Sequence, residues 1–369
     1  MILPLLGIFV FFVALRGFLR KAMSKKLEIL TAITAVLLFL SLSMSVQAMN
    51  SQAQERLKVA FVYVSPVGDF GWTYAHDQGR KYLEKTLAYV ETAYTESVAP
   101  PDVERVIRDY AQKGYKVIFT TSFEFMDPTL EAAKDFPNVI FEHCSGYKTA
   151  KNVGTYFGRI HEAAYLSGLV AGKMTQKNKL GFVAAHPIPE VIRNINSFTR
   201  GVREVNAQAT VGVVWTGSWY DPAKEKEAAL SLIDAGADVI AQHQDSPASL
   251  EAAKERQVYS VGYNNDMSQF NPQGFLTAPV WNWGPFYVET VKSVKEGTWK
   301  SDSYWGGFES GIVDIAPYGK AVPQEVRDFV DKRKQEIKEG KFKVWPDKTD
   351  EELLSMNSFI EGVEGQIPK

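Results

Sequence analysis

Lys58-Val-Ala-Phe-Val-Tyr-Val64, the loop Ser65-Pro-Val-Gly-Asp69-Phe-Gly-Trp72 and the amphipathic run Thr73–Leu87 decide the fold of this chain. A short β-branched and aromatic run, a turn rich in Pro and Gly, and a longer helical pattern make one strand–helix unit. The unit then repeats. Further strands are predicted at Ala93–Ser97, Lys116–Thr121, Val139–His143, Val153–Phe157, Leu180–Ala184, Val211–Thr216, Val239–His243 and Tyr259–Tyr263. Helical patterns fill the gaps at Asp102–Lys113, Pro128–Asp135, Arg159–Met174, Glu190–Val205, Pro222–Ala235 and Pro247–Arg256, with Pro101, Gly114 and Pro137 as starts and stops. Such alternation argues for an α/β protein with parallel sheets covered on both faces. The strands are too many for one comfortable sheet, so two doubly wound lobes are expected. The end of the chain, from Asp302, reads as an aromatic-rich strand pair and a charged helix near Glu325–Lys338.

Composition narrows the class. The 369 residues are 45% hydrophobic and 23% charged, with 27 Gly and 17 Pro, which argues against disorder and collagen-like repeats. Lys and Arg (41) balance Asp and Glu (43), and without a basic tract a nucleic-acid binder is disfavoured. Cys144 is the single cysteine, so neither an intrachain disulfide nor a cysteine metal cluster can form. No cofactor or metal is expected.

The first 48 residues read as an address. Ile2–Val13 is apolar and is followed by Arg16, Arg20 and Lys21. From Met23, Lys25 and Lys26 precede an apolar region, Ile29–Leu42, and small residues at Ser45-Val46-Gln47-Ala48. That is the layout of a secretory signal beginning at Met23 and cut after Ala48. The alternative is a membrane anchor in 29–48, although a span needs about 18–20 apolar residues and Thr31, Thr34 and the serines interrupt this one. Without residues 1–48 the chain keeps 36 basic and 42 acidic side chains, a net charge of −6. An acidic, exported, periplasmic protein is expected.

Parallel sheets bind ligands at the carboxyl ends of their strands. Those ends are Ser65–Trp72, Ser122–Phe125 and Cys144–Tyr147 in the first lobe. In the second they are Ala185–Pro187, Gly217–Asp221, His243–Ser246 and Asn264–Asp266. They are rich in aromatics and carboxylates and contain no Lys or Arg. A phosphate or carboxylate ligand would want a cation or a Gly-rich helix start. Aromatic faces with acidic acceptors suit a flat, neutral, donor-bearing ligand.

Asp69-Phe-Gly-Trp72 with Gln78-Gly79, Gly168-Leu-Val-Ala-Gly172-Lys-Met174, Lys179-Leu-Gly-Phe-Val183, Gly217-Ser-Trp219-Tyr-Asp221-Pro-Ala-Lys224 and Gly236-Ala-Asp238-Val-Ile240 occur in this order. Together they resemble the BMP (basic membrane protein, PnrA-like) family of ABC-transporter substrate-binding proteins over about Lys58 to Asp347. The resemblance implies a type I periplasmic-binding-protein fold, a three-crossover hinge that closes over one small molecule, and delivery to an ABC permease in the inner membrane. It implies a purine nucleoside or a purine base such as adenine as ligand. Tyr147, Trp219 and the Tyr263–Asp266 turn bring this chain closer to the base-binding members. The family's usual Asp-x-Ser-Phe-Asn opening is here Asp69-Phe-Gly-Trp-Thr73, which puts Trp72 at the position of a stacking Phe. The cysteine that many relatives use for lipidation is absent.

The candidate ligand-binding residues are Asp69, Phe70, Trp72, Phe123, Glu124, Trp219, Asp245, Asp266 and Trp281. Asp69 and Asp245 fit a helix cap as well as a ligand contact. Glu124 between two phenylalanines is a candidate acceptor for a base N–H, because an unpaired buried carboxylate is expensive. The resemblance implies a polar contact at Asp266. One of Trp281 and Trp283 is expected at the cleft mouth and the other in the core.

Catalysis is not expected. The five histidines show no ligand spacing, and His143 and Cys144, as strand neighbours, point to opposite faces. A sugar, a choline-like cation in an aromatic cage, and a ligand-sensing regulatory role on the same fold are the alternatives. The expected lobes are 49–157 with 265–300, and 158–264 with 301–345, followed by a tail, 346–369. Crossovers are expected near Tyr156–Arg159, Tyr263–Asp266 and Trp299–Ser303, in a protein working as a monomer.

Overall fold

The structure is a computed structural model that describes residues 15–26, 30, 33–34, 36–41 and 56–368. Leu57–Lys369 forms one folded body and Met1–Arg56 a separate unit. Residues 15–26 and 36–41 are helical. Among the described residues, no helix is long and apolar enough to cross a membrane. The expected cleavage site after Ala48 and the Ile2–Val13 stretch lie outside the described residues.

In the body, strands β1 (Leu57–Val62), β2 (Val90–Thr95), β3 (Val117–Thr120), β4 (Ile140–Cys144) and β5 (Val153–Gly158) alternate with helices α1 (Trp72–Thr86), α2 (Val103–Gln112) and α3 (Met126–Asp135). Then come α4 (Ile160–Met174), β6 (Lys179–Ala184), α5 (Pro189–Val205), β7 (Thr210–Trp215), α6 (Pro222–Asp234), β8 (Val239–His243), α7 (Ala248–Glu255) and β9 (Tyr259–Val261). The remainder is β10 (Phe275–Thr277), β11 (Pro279–Trp281), α8 (Trp283–Glu296), β12 (Ser303–Gly306), β13 (Val313–Ile315), α9 (Gln324–Lys338), α10 (Asp350–Leu354) and β14 (Val363–Glu364). Two parallel six-stranded sheets result, in the orders β12-β5-β4-β3-β1-β2 and β10-β9-β8-β6-β7-β14, and β11 pairs antiparallel with β13. These are the two α/β lobes that the strand–helix alternation predicts.

Alternation along each strand divides the core. In β1 every residue from Val59 to Val62 is fully buried. Val59 and Phe61 join the cluster that includes Ala75 and Leu83 of α1 and Tyr287 of α8, whereas Ala60 and Val62 join the one beneath α2 and α3. Successive strand side chains point to opposite faces, so a strand covered on both sides must be apolar throughout. The Gly168 run serves packing. An added Cβ at Gly168 would lie 2.1 Å from Phe198 O, and one at Gly201 would lie 2.1 Å from Tyr165 O, so α4 and α5 cross with their backbones in contact.

The lobe boundaries differ from the expected ones. After β9 the chain stays in the second lobe long enough to add β10 as an edge strand. It returns to the first lobe through Ala278–Asn282, where α8 packs on α1 through Gly79 and Gly284. β12 then adds the opposite edge of the first sheet, and the last crossing follows Gly306 before α9 docks on α4. Residues 346–368 are part of the second lobe rather than a tail, since β14 pairs with β7 and α10 packs on α5. The short edge strands carry too few residues for periodicity to declare them.

Two buried carboxyls make stability depend on pH. Glu142 on β4 is buried and accepts a hydrogen bond from Trp299 Nε1 at 2.8 Å, and burial pushes its pKa up to about 7. Glu162, in the first turn of α4, is likewise raised to about 7, by burial and then by Glu309, against the Phe308 N–H and Arg159. A carboxyl raised on folding keeps its proton more tightly in the folded state. Stability is therefore greatest below the ordinary value near 4.5 and declines as pH rises to about 7, by on the order of 3 kcal/mol per group. Glu142→Gln keeps an acceptor for Trp299, so its melting temperature should exceed the parent's at pH 8 and match it at pH 4.5. Equal values at pH 8 would contradict this.

Candidate functional site

The carboxyl ends of the two sheets face each other across a tight cavity of about 30 Å³. The first lobe contributes Val64, Trp72, Ser122, Phe123 and Ser145, and the second contributes Glu190, Trp219, His243, Asp245 and Tyr263. Among the described residues, no lysine or arginine lines it. The lobes are closed on one another. An added Cβ at Gly71 would fall 2.2 Å from the Asp245 carbonyl oxygen, so the two backbones touch. Trp219 Nε1 donates to Glu124 Oε1 at 2.9 Å, and Ser145 Oγ donates to Glu190 Oε2 at 2.7 Å, both from lobe to lobe.

Four aromatics line the cavity, Trp72, Phe123, Trp219 and Tyr263. Trp72 opens α1, and its Nε1 donates to the Thr121 carbonyl at 2.5 Å. Behind it stand His76, Trp281 and Trp283, each edge-on to the indole at 4.4–5.7 Å. Trp72 is thus a cavity wall and a core residue at once. Phe123 begins a short 3-10 turn after β3, and Trp219 follows β7, with His186 against its ring.

The polar groups are mostly engaged with one another. Ser122 Oγ donates to Glu124 Oε2 at 2.5 Å, and Tyr263 OH accepts from Asn194 Nδ2 at 3.3 Å. Glu190 accepts from Ser145 and lies 3.5 Å from His243 Nε2. Burial alone would raise the Glu190 pKa, but His243, Ser145 and Arg193 together hold it below the usual carboxylate value. His243 Nε2 has no hydrogen-bond partner among the described residues, and Asp245 is only half engaged. Its Oδ1 accepts from Asn264 Nδ2 at 3.1 Å, while its Oδ2 accepts from no described residue. Burial, with Asp69 and Glu225 nearby, pushes its carboxyl well up.

Of the nine candidates, Trp72, Phe123, Trp219 and Asp245 line the cavity, and the other five lie elsewhere. Asp69 is a buried cap whose two oxygens accept from the N–H groups of Gly71, Thr73 and Tyr74 and from Ser65 Oγ. With both oxygens taken, it positions Trp72 without reaching the cavity. Phe70, at φ +59°, turns outward onto Tyr74 and Phe270. Glu124 is exposed and ties the lobes through Trp219. Asp266 is exposed and caps the N–H of Ser268. Trp281 is buried in β11, stacked on Trp283 at 4.5 Å with Nε1 on Asn264 Oδ1. Neither tryptophan is at the cleft mouth, because Trp283 opens α8 and is itself fully buried.

Glu190, Val64 and Tyr263 are cavity residues outside the list of strand-end segments. Glu190 sits in the first helical turn after β6, so the strand-end rule extended by one turn would have included it. Tyr263, expected within a strand, lies beyond it, because β9 ends at Val261.

Residues 56–347 match the family model described as ABC transporter substrate-binding protein PnrA-like. A Haloferax volcanii protein named "Putative ABC transporter glucose-binding protein" is 46% identical over 85% of this chain and 82% of its own length. A purine-binding protein of Brucella abortus is 43% identical over 86% of this chain and 96% of its own. Among solved structures, an ABC transporter solute-binding protein from Aeropyrum pernix superposes with a TM-score of 0.69 at 19% identity, over 80% of this chain and 97% of that one. That likeness speaks to the fold, which is the type I fold of periplasmic solute-binding proteins. Proteins of this kind bind small molecules and work with a permease. The chain belongs to the PnrA-like family of ABC transporter substrate-binding proteins.

Proposed function

We propose that this receptor binds a purine, with a free base such as adenine favoured, flat between the aromatic walls formed by Trp72, Phe123 and Trp219. One observation carries the reading: the unengaged Oδ2 of Asp245 in an aromatic cavity without a cation. A base offers a π-face to the walls, at roughly 0.5–1.5 kcal/mol per aromatic pair beyond area burial. Its edge offers a ring N–H or amine to the carboxylate, and a ligand without that donor leaves a buried acceptor unpaired. The name of the Brucella relative supports the same ligand class. The exported position outside the inner membrane belongs to this reading, supported by the signal-like pattern of residues 23–48.

A hexose is the second reading, favoured by the name of the Haloferax relative. A pyranose carries hydroxyls around its rim, and each needs a partner in a dry site. Here Ser122, Ser145 and Glu190 already bond to protein groups, which favours the base.

The test is a thermal-shift and calorimetric panel on residues 49–369 after a denature–refold step that strips carried-over ligand. Adenine, guanine, hypoxanthine, their nucleosides, glucose, ribose and choline are compared. Adenine at 100 times its Kd should stabilise the fold by about 2.7 kcal/mol. A response to glucose with silence from every purine would replace the purine by the hexose.

A further inference from the structure

The interlobe cleft does not end at the small cavity. A second hollow of about 550 Å³ adjoins it, extending along the C-terminal ends of β5 and β12. Phe123, Ser145 and Glu190 line both, so the Ser145–Glu190 hydrogen bond belongs to the shared wall. Beyond it the lining is largely aromatic and aliphatic: Tyr147, Tyr156, Tyr304 and Trp305 from the first lobe, Ile188 and Leu354 from the second. Tyr147 is 69% exposed and Leu354 49%, an unusual amount of bare apolar surface for two residues of one hollow. Two lining residues, Arg193 and Trp305, each hold a buried N–H, at Nε and Nε1, with no acceptor among the described residues. The wall itself is held in shape. Ser145 has φ +68°, and an added Cβ at Gly146 would fall 2.1 Å from the His143 ring.

We propose that the second hollow is a subsite for a ligand substituent, and that the receptor takes purines bearing an aromatic or apolar arm. The proposal rests on the purine reading above. The ring occupies the small cavity, and the arm passes beside Phe123 and the Ser145–Glu190 pair into the larger hollow. There it buries apolar area and stacks on the Tyr304 and Trp305 side. A bare base ends at the shared wall and leaves that surface unused.

Calorimetric titration with adenine and N6-benzyladenine separates this proposal from the reading beneath it. The unmodified protein should bind N6-benzyladenine at least as tightly as adenine. Trp305→Ala should weaken N6-benzyladenine about tenfold, a stacking-sized effect, and leave adenine within about twofold. Trp305 also stacks beneath the Arg159 guanidinium at 4.0 Å, so a second variant avoids reliance on it. Leu354→Trp, on an exposed helical position, fills the hollow and should penalise only the substituted purine. Adenine bound with N6-benzyladenine excluded would overturn the subsite, as would variants that weaken both ligands equally. Failure of both ligands to bind would overturn the purine reading itself.

Discussion

Asp245→Asn is expected to lower adenine affinity on the order of a hundredfold, the size of a lost hydrogen bond to a charged group in a dry site. The same change should raise the melting temperature of the unliganded protein at neutral pH. Burial, together with Asp69 and Glu225, pushes the Asp245 carboxyl well above its ordinary value. A carboxyl raised on folding costs nothing below its unfolded pKa, and its stability cost grows as pH rises through the folded pKa. Asparagine removes that cost and still offers an oxygen to Asn264. The opposite movements of affinity and stability are the signature of a residue kept for binding. Calorimetric titration and thermal melts at pH 7.5 check both. An unchanged adenine affinity would transfer the acceptor role away from Asp245.

Gly71→Ala is expected to hold the lobes apart. The added Cβ would lie 2.2 Å from the carbonyl oxygen of Asp245, 2.6 Å from its carbon and 2.7 Å from its Cα. All three are backbone atoms, and they belong to the opposite lobe, so no rotamer change relieves the clash. Overpacking of this kind costs roughly 1–3 kcal/mol, which corresponds to affinity losses from about fivefold to more than a hundredfold. Because the added methyl meets only the backbone of the facing lobe, the unliganded melting temperature should change little. Small-angle scattering should show that ligand no longer compacts the protein. Gly68→Ala is the control, since its added Cβ meets nothing within 4 Å. Full compaction and unchanged affinity in Gly71→Ala would mean that ligand binding does not need this closed contact.

The two variants probe different levels of the same site. Asp245 supplies an interaction with the ligand, whereas Gly71 supplies the approach of one lobe to the other. Differential affinity for the closed state is what lets a small molecule close a hinge. Trp219 connects the levels, with its ring in the cavity wall and its Nε1 on Glu124 across the cleft.

Much of this arrangement is legible in the sequence, because local physics governs it. Alternating β-branched strands and amphipathic helices specify two covered parallel sheets, and strand ends specify where the cleft must be. Trp72, Phe123, Trp219 and Asp245 could be named on that ground alone. What local pattern does not carry is partnership. Asp69 and Asp245 follow strands in the same way, yet Asp69 has both oxygens filled by its own helix start and Asp245 keeps one free. Glu124 was expected to accept from a ligand and accepts instead from Trp219, a residue ninety-five positions away. Trp281 and Trp283 are expected to divide between cleft mouth and core, but burial against Trp72 and His76 puts both in the core. The chain by itself determined the two lobes and the line along which they meet. Which side chains end in the cavity was decided only when distant segments competed for the same hydrogen-bond partners and the same buried space.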